Sequence, residues 1–202
     1  NPNAGEYLEV LHRQSARLKK LIEDLIEASK ASTGNLAVHL EKLEAGVSVV
    51  QIVGEFEDKL NAADLTLLIQ KPETPVYVMA DGRHFWRVID NLMNNICKYA
   101  QPGTRVYVDL RENGGQVELI FRNTSRYPLN ISSEELMERF VRGDESRNTE
   151  GSGLGISIAK SLMELMGGSF MLYVDGDLFK VVLGFAQIAE EKEPLDEDES
   201  GK

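Results

Sequence analysis

Apolar residues recur every seven positions along the start of the chain. A repeat of this period predicts one long amphipathic helix over residues 6–32, ending near Thr33 and Gly34. Additional apolar residues widen the stripe, as in a helical bundle. The apolar residues of the stripe are Leu8, Leu11, Leu18, Leu21, Ile22, Leu25 and Ile26. Such a stripe needs a partner, and both dimerisation through it and packing against its own domain are open.

Beyond residue 35, short runs of apolar residues alternate with longer helical patterns. Strands are predicted at residues 36–40, 65–69, 76–79, 106–110, 117–121, 170–174 and 179–185. Helices are predicted at residues 47–60, 82–100, 132–137 and 153–166. Asp81 is a suitable N-cap for the helix 82–100, and the turn residues at 113–115 indicate a hairpin between two of the strands.

The composition narrows the classes of function. The chain of 202 residues has a net charge of −11, which argues against nonspecific binding to nucleic acid or to an anionic membrane surface. Its single cysteine, Cys97, excludes an intramolecular disulfide, and we expect it to be packed rather than nucleophilic. No apolar run is long enough to span a bilayer, and no signal peptide is visible. Because the sequence begins with Asn1 rather than Met, we leave open that it is part of a longer protein.

Three polar residues share one face of the predicted helix 82–100. Asn91, Asn95 and Lys98 follow the i, i+4, i+7 spacing, while Leu92 and Ile96 lie on a neighbouring stripe that can pack on a sheet. Amide oxygens suit a Mg²⁺ ion that keeps waters and phosphate oxygens in its shell, and Lys98 adds a positive charge. The alternative interpretation is the polar surface of an ordinary helix.

Three glycines lie at or just before the start of the predicted helix 153–166. Gly151, Gly153 and Gly155 do not form a Walker A loop, because no glycine stands directly before Lys160, and an isoleucine at position 156 excludes the Rossmann pattern. A flexible backbone that leads into a helix N-terminus attracts phosphate, because its free N–H groups and the helix dipole favour negative charge. Close packing of the helix is the alternative reason for glycine here.

Together, these motifs resemble the catalytic, ATP-binding domain of bacterial sensor histidine kinases. Residues 91–99 look like the N box of that family, with Ile96 where alanine is usual. Residues 138–144, Glu-Arg-Phe-Val-Arg-Gly-Asp, look like its F box, and residues 151–158, Gly-Ser-Gly-Leu-Gly-Ile-Ser-Ile, look like its second glycine box. The resemblance extends from residue 36 to about residue 189.

The resemblance implies an α/β fold, a two-layer sandwich of a mixed β-sheet and helices of the Bergerat type, preceded by one long helix. It implies ATP and Mg²⁺ as cofactors, with Asn95 as the metal ligand. Residues 126–152 would form a lid in which Arg139, Arg142 and Arg147 are candidates for the triphosphate, with Arg142 favoured. The implied nucleotide-binding residues are Asn91, Asn95, Lys98, Tyr99, Asn123, Arg142, Gly151, Gly153, Leu154 and Gly155.

The first glycine box departs from the family pattern. The family usually has Asp-x-Gly-x-Gly, whose Asp accepts a hydrogen bond from the adenine amino group, whereas this chain has Asn123 and Ser125 at the Asp and first Gly positions. An Asn oxygen still accepts, but it lacks the charge assistance that makes such a bond roughly twice as strong. We therefore expect weaker or less selective base recognition. Alternatively, Asn123 only orders the turn.

The first helix resembles the second helix of the dimerising hairpin that precedes this domain in the family, on the match of residues 17–26. The phosphoacceptor His of the family lies on the first helix of that hairpin, and none of His12, His39 and His84 has the expected surroundings. The implied domains are 1–34, the second hairpin helix; 35–189, the ATP-binding catalytic domain; and 190–202, an acidic disordered tail.

The resemblance implies an ATP-dependent protein-histidine kinase of a two-component system. It would phosphorylate a His on a helix absent from this sequence, for relay to an Asp of a response regulator receiver domain, so this chain alone should not autophosphorylate. The family also implies a homodimer through the N-terminal helix and a cytoplasmic location in a membrane-anchored sensor. Two alternatives stay open: another ATPase of the same superfamily, which would need an acidic residue in place of Asn91, and a degenerate nucleotide-binding scaffold without kinase activity.

Overall fold

A computed structural model describes residues 4–129, 132–142 and 153–188, without the side chains of residues 4 and 138–142. The helices are α1 Ala4–Ser32, α2 Ala45–Gly54, α3 Glu57–Ala62, α4 Gly82–Tyr99, α5 Ser133–Arg142 and α6 Gly155–Leu165. The strands are β1 Glu41–Glu44, β2 Leu65–Gln70, β3 Tyr77–Ala80, β4 Thr104–Asn113, β5 Gln116–Thr124, β6 Ser169–Asp175 and β7 Leu178–Ile188. The predicted acidic tail, 190–202, lies outside the described residues.

The strands form one mixed sheet in the order β1-β3-β7-β5-β4-β2, with β6 paired to β7. The β2–β4 pair is parallel, and the other described pairs are antiparallel. Alternate residues of each central strand, such as Val108 of β4 and Phe121 of β5, are fully buried under the helices. The rings of Phe85 on α4 and Phe185 on β7 lie 5.7 Å apart, centroid to centroid. The predicted two-layer α/β sandwich is therefore confirmed.

The strand predicted at residues 36–40 is wrong, because β1 begins at Glu41. Apolar alternation there is real, since Leu36 and Val38 are half-buried against the core. However, β1 pairs with β3 in the register Glu41↔Ala80, and β3 ends at Ala80. An earlier start for β1 would run past the end of its partner strand, so residues 36–40 have no strand to pair with.

Two helix predictions have the wrong bounds. The helix predicted at residues 47–60 is two helices, α2 and α3, which are separated by a break at Glu55 and Phe56. Phe56 and Leu60 remain buried across the break, so the apolar spacing that suggested one helix continues through it. The short helix predicted at residues 132–137 continues to Arg142. It starts with a capping box, in which the Glu135 backbone N–H donates to the Ser132 side chain at 3.1 Å.

The predicted N-terminal helix is confirmed as α1, and most of its apolar stripe is exposed. Leu11, Leu18 and Leu25 keep about 60% of their surface, at 62%, 58% and 60%. Only the end of α1 is packed on the domain, where Asp24 and Ala31 are buried and α1 contacts α6. No helix in the described part of the chain is both long and apolar enough to cross a membrane.

Candidate functional site

The helix α4 carries the predicted N-box residues and is fixed at its N-terminus by Asp81. The Asp81 carboxylate accepts hydrogen bonds from the backbone N–H groups of Arg83 at 3.0 Å and His84 at 3.2 Å, which confirms the predicted N-cap. It also accepts from the backbone of His39 in the segment before β1, at 2.9 Å. Burial alone would raise the pKa of Asp81, but these N–H groups and the charge of His84 hold it below the ordinary value.

The polar face of α4 lies beside its buried stripe. Leu92 and Ile96 are each 1% exposed, as predicted for the side that packs on the sheet. Asn91, Asn95 and Lys98 are half-buried next to them. The Lys98 ammonium lies 4.8 Å from the centre of the Tyr99 ring, a cation–π distance. Three predicted site residues therefore lie in a partly enclosed position, where their polar groups are partly desolvated.

Asn91 contacts the start of α6. A Cβ atom added to Gly155 would lie 3.3 Å from the side-chain oxygen of Asn91, so the absence of a side chain at Gly155 permits this approach. The Asn91 side-chain nitrogen is buried and has no hydrogen-bond partner among the described residues. A buried amide N–H without a partner costs about 1–3 kcal/mol. A hydrogen-bond acceptor such as a phosphate oxygen would satisfy it.

Asn123 near the end of β5 has the complementary property. It is 4% exposed and lies on the helix-facing side of the sheet, in register with Phe179 of β7. Its side-chain nitrogen donates to the carbonyl of Thr124 at 3.2 Å, which directs the side-chain oxygen away from that carbonyl. This oxygen is buried and has no partner within the described residues. The residue at the family's Asp position thus presents an unused acceptor, which suits an amino group.

Backbone hydrogen bonds join the end of α4 to the end of β5. The Gln101 N–H donates to the Thr124 carbonyl at 2.9 Å, and the Arg126 N–H donates to the Tyr99 carbonyl at 2.8 Å. Ala100 and Ser125 form an isolated bridge between them. The Ser125 hydroxyl, at the family's first glycine position, accepts from the Tyr127 N–H at 3.3 Å. These bonds hold Tyr99 and Asn123 on neighbouring segments, although the two lie 24 positions apart in sequence.

The glycine segment leads into α6 as predicted. Gly153 has a φ of +72°, a left-handed conformation that favours glycine. Leu154 precedes the helix, and its carbonyl accepts from the Ile158 N–H at 2.9 Å and from the Ser157 hydroxyl at 2.8 Å. Gly151 and the side chain of Arg142 lie outside the described residues, so their predicted roles stay predictions.

The side chains at this site suit a metal ion whose other ligands are waters and phosphate oxygens. No group of three or more His, Cys, Asp or Glu side chains within the described ranges could hold a metal ion. The predicted ligand, Asn95, offers a neutral amide oxygen, and Mg²⁺ keeps several waters and phosphate oxygens when protein carboxylates are few. The residues present therefore fit Mg²⁺ held jointly with a triphosphate, rather than a protein-enclosed metal centre.

Cys97 is packed within the domain, as expected from the sequence. It is half-buried against the core, and this burial raises the pKa of its thiol. The charge of Lys59 opposes the rise without cancelling it. A thiol with a raised pKa is a weak nucleophile at neutral pH, which supports a packing role.

One residue that orients the site, Thr124, and one contact between its motifs, Asn91 with Gly155, were not predicted from the sequence. The backbone carbonyl of Thr124 orients the Asn123 amide. Any residue at position 124 has this carbonyl, so the residue type does not reveal the contact. Gly155 was recognised as part of a glycine pattern, but its contact with Asn91 joins two motifs more than sixty positions apart and becomes visible only in the fold.

Known proteins resemble most of this chain. Residues 80–193 match the family described as histidine kinase-, DNA gyrase B-, and HSP90-like ATPase. The chain is 26% identical over 172 residues to the sensor protein IrlS of Burkholderia pseudomallei, and 25% identical over 170 residues to the sensor protein kinase WalK of Staphylococcus aureus. Each match covers 82% of this chain, but only 36% and 40% of these relatives, so the chain spans well under half of their length.

Solved structures have the same fold. The histidine kinase AdeS of Acinetobacter baumannii superposes with a TM-score of 0.71 at 21% identity, over 90% of this chain and 84% of that one. Full-length ShkA in complex with AMPPNP gives a TM-score of 0.76 at 18% identity, over 92% and 39%. The family match covers more than half of the chain. This chain therefore belongs to the histidine kinase-, DNA gyrase B-, and HSP90-like ATPase family and contains the catalytic domain of a bacterial sensor histidine kinase.

Proposed function

We propose that this chain binds ATP with Mg²⁺ and transfers the γ-phosphoryl group to a His on a helix outside these 202 residues, for relay to an Asp of a response regulator. One observation carries the proposal. The side-chain nitrogen of Asn91 and the side-chain oxygen of Asn123 are both buried without partners among the described residues. One is an unused donor and the other an unused acceptor, which are the groups needed for a phosphate and an amino-substituted base.

In this arrangement, Asn123 accepts from the amino group of the base and Tyr99 lines the pocket. Asn91 donates to a phosphate oxygen, and Lys98 contributes positive charge. The backbone from Gly153 to Gly155 brings the N-terminus of α6, where the helix dipole favours negative charge, towards the phosphates. Arg142 and Gly151 are proposed to complete this cradle. These groups bind and orient the donor, and positioning supplies much of the rate in phosphoryl transfer.

Mg²⁺ is proposed to bind the oxygen of Asn95 and the phosphates together. When bound, the ion would neutralise part of the charge that develops during phosphoryl transfer. Asn91 and Asn95 are one turn apart on α4, so a helix fixed by Asp81 and by the Phe85–Phe185 contact holds both at constant spacing. The protein residues therefore position the donor, while the nucleophile and its base belong to the acceptor helix.

The domain assignment and the partners are part of the proposal. Residues 1–34 act as the second helix of a dimerising hairpin, 35–189 as the catalytic domain, and 190–202 as an acidic disordered tail. The exposed stripe of α1 supports a homodimer, because Leu11, Leu18 and Leu25 are uncovered in the described residues. The solved complex of the histidine kinase ThkA with the response regulator TrrA, at a TM-score of 0.68 and 15% identity, supports a receiver domain as the partner. A cytoplasmic location in a membrane-anchored sensor is part of the same proposal and is supported by the sensor kinases among the relatives.

A second candidate function is a nucleotide-binding scaffold without kinase activity. The observation that favours it is the pair Asn123 and Ser125 in place of the usual Asp and Gly. A neutral acceptor and a side chain at the glycine position would both weaken base binding.

Calorimetric titration with Mg²⁺-ADP tests the site directly. We expect saturable binding to the natural chain and its loss in Asn95→Ala. Asn94→Ala is the matched control, because Asn94 is exposed on the same helix and bonds to Lys59 and Asp90 instead. No binding at millimolar nucleotide, or equal losses in both variants, would overturn the proposed site. A chain extended to include the upstream helix should then phosphorylate itself, and binding without phosphorylation would favour the scaffold.

A further inference from the structure

Arg87 on α4 connects the catalytic domain to α1 through two carboxylates of α1. Its guanidinium donates to Asp24 at 2.8 Å and to Glu27 at 2.8 and 3.0 Å, and both acceptors lie on α1. It also donates to Asp90, one turn further along α4, at 3.2 Å. Several hydrogen bonds from one guanidinium fix direction as well as distance. Arg87 therefore sets where the end of α1 lies against α4.

This cluster is largely removed from water. The side chains of Arg87 and Asp24 keep only 18% and 8% of their surface. Burial alone would lower the pKa of Arg87, but the charges and hydrogen bonds of Glu27 and Asp24 raise it above its ordinary value. Removing one partner of a buried ion pair leaves the other charge uncompensated, which is strongly destabilising for the contact. Loss of Arg87 should therefore release the end of α1 from α4, rather than only slightly weaken its attachment.

The same stripe of α4 leads from these contacts to the nucleotide site. Asp81, His84, Arg87 and Asn91 follow one another at three- and four-residue intervals, so they lie along one side of the helix. Asp81 holds the backbone of His39, and the His84 ring bonds to the carbonyl of Ala37 at 2.9 Å. The segment that follows α1 and α1 itself are thus both attached to the helix that carries Asn91.

A third helix closes the arrangement. α6 packs on α4 and also on α1, and its first residue, Gly155, contacts Asn91. Ala31 of α1 is buried and Ala28 is half-buried against the same core. The docked α1 therefore touches both helices that bound the proposed phosphate site, and it can hold them at a fixed spacing.

We infer that Arg87 is a positioning residue, which docks α1 through Asp24 and Glu27 and thereby holds α4 and α6 in the arrangement that binds nucleotide. This inference rests on the proposed function, because it takes Asn91 and Gly155 to bound the nucleotide site. Docking of α1 and binding of nucleotide then stabilise each other, and such coupling is reciprocal by thermodynamic necessity. Affinity of the catalytic domain for nucleotide becomes dependent on the position of the helix that precedes it.

The first test compares Arg87→Gln with Arg83→Gln in the full chain. Arg83 lies one turn earlier on α4, but its side chain is 76% exposed and its one described ion pair is to Asp81. We expect Mg²⁺-ADP to bind Arg87→Gln at least fivefold more weakly than the natural chain, and Arg83→Gln with unchanged affinity. Asp24→Asn should also weaken Mg²⁺-ADP binding, as Arg87→Gln does, although Asp24 lies on α1 and outside the site.

The second test measures the reciprocal effect by hydrogen exchange. Mg²⁺-ADP should slow exchange at residues 20–31 of the natural chain and have no such effect in Arg87→Gln. The exchanged pair Arg87→Asp with Asp24→Arg should restore part of the affinity, because it forms the ion pair between α1 and α4 again. If Arg87→Gln does not fold, Glu27→Gln removes only one partner and is measured in the same way.

The outcomes separate the two proposals. If the natural chain binds no nucleotide, both the proposed function and the coupling are wrong. If the natural chain binds nucleotide, but Arg87→Gln binds it equally well or α1 exchanges at the same rate with and without nucleotide, only the coupling is wrong.

Discussion

The side-chain oxygen of Asn91 lies 3.3 Å from the position that a Cβ atom on Gly155 would occupy. Two motifs that are more than sixty positions apart in the sequence therefore approach so closely that a side chain at position 155 would crowd Asn91. At the first position of α6, glycine leaves room for the side chain of Asn91, which any larger residue there would crowd. Glycine at this position therefore accommodates the side-chain amide of Asn91, and it is not required by the backbone conformation.

Gly155→Ala should separate stability from binding. Alanine removes the entropic cost of glycine in a helix, worth about 0.5–1 kcal/mol, so the free energy of unfolding should stay constant or rise. The added methyl group displaces Asn91 by a few tenths of an ångström, and we expect about tenfold weaker Mg²⁺-ADP binding, equal to about 1.4 kcal/mol. Denaturant unfolding and calorimetry measure the two effects.

Gly54→Ala is the control for this substitution, because a Cβ at Gly54 meets nothing within 4 Å and the residue lies in the last turn of α2. Its nucleotide affinity should be unchanged. Unchanged affinity in Gly155→Ala as well would show that Asn91 does not contact the nucleotide.

Asn123 should discriminate between bases through its buried oxygen. Inosine nucleotides have a carbonyl where adenine has an amino group, so they would place an acceptor against the Asn123 oxygen. An unsatisfied buried polar group costs about 1–3 kcal/mol, and the natural chain should therefore bind ADP roughly tenfold more tightly than IDP. Asn123→Ala should bind both nucleotides with similar, weaker affinity. Calorimetric competition between ADP and IDP checks this, and equal affinities in the natural chain would assign Asn123 to the turn alone.

Most of the fold was predictable from local patterns. The apolar period of α1, the N-cap at Asp81 and the hairpin turn after Asn113 each depend on residues close together in sequence, and all three are confirmed. The strand at residues 36–40 was wrong for a non-local reason. Whether a run pairs depends on where its partner ends, and β3 ends at Ala80.

The candidate site was predictable in part, for the same reason. The residue types of Asn91, Asn95 and Asn123 indicate amide chemistry, and the pattern places them on α4 and β5. The orientation of the Asn123 amide depends on the Thr124 carbonyl, and the attachment of α1 depends on Arg87. Neither contact can be recognised in the sequence. Every residue has a backbone carbonyl, and arginine is common on the polar face of a helix.

Gly168→Ala should destabilise the junction between α6 and β6. An added Cβ would lie 2.7 Å from both the carbonyl oxygen of Gly184 and the terminal methyl of Met163. The methionine side chain can move, but the carbonyl belongs to the paired strand β7 and cannot move without breaking the sheet. We expect a loss of about 1–3 kcal/mol in the free energy of unfolding, measured by urea titration. Gly5→Ala, in open space on α1, is the control, and an equal effect in both variants would contradict the clash.

Asp81→Asn should have a pH-dependent effect on stability. Asp81 uses one oxygen for the N–H groups of α4 and the other for the N–H of His39, whereas asparagine has a single oxygen and would direct an amide nitrogen at one of these donors. At pH 7 the substitution should lower the free energy of unfolding by about 1–3 kcal/mol. Since the pKa of Asp81 is lowered in the folded state, its contribution is complete above the unfolded pKa of about 3.9 and declines as the pH falls through the folded pKa.

The difference in stability between the natural chain and Asp81→Asn should therefore shrink as the pH falls below about 4. Chemical unfolding monitored by circular dichroism at several pH values gives this difference directly. Asp58→Asn serves as the control, because Asp58 is an exposed acidic residue in the first turn of α3. A difference that does not shrink below about pH 4, or that is already absent at pH 7, would mean that the Asp81 carboxylate does not hold the start of α4 and the His39 segment together.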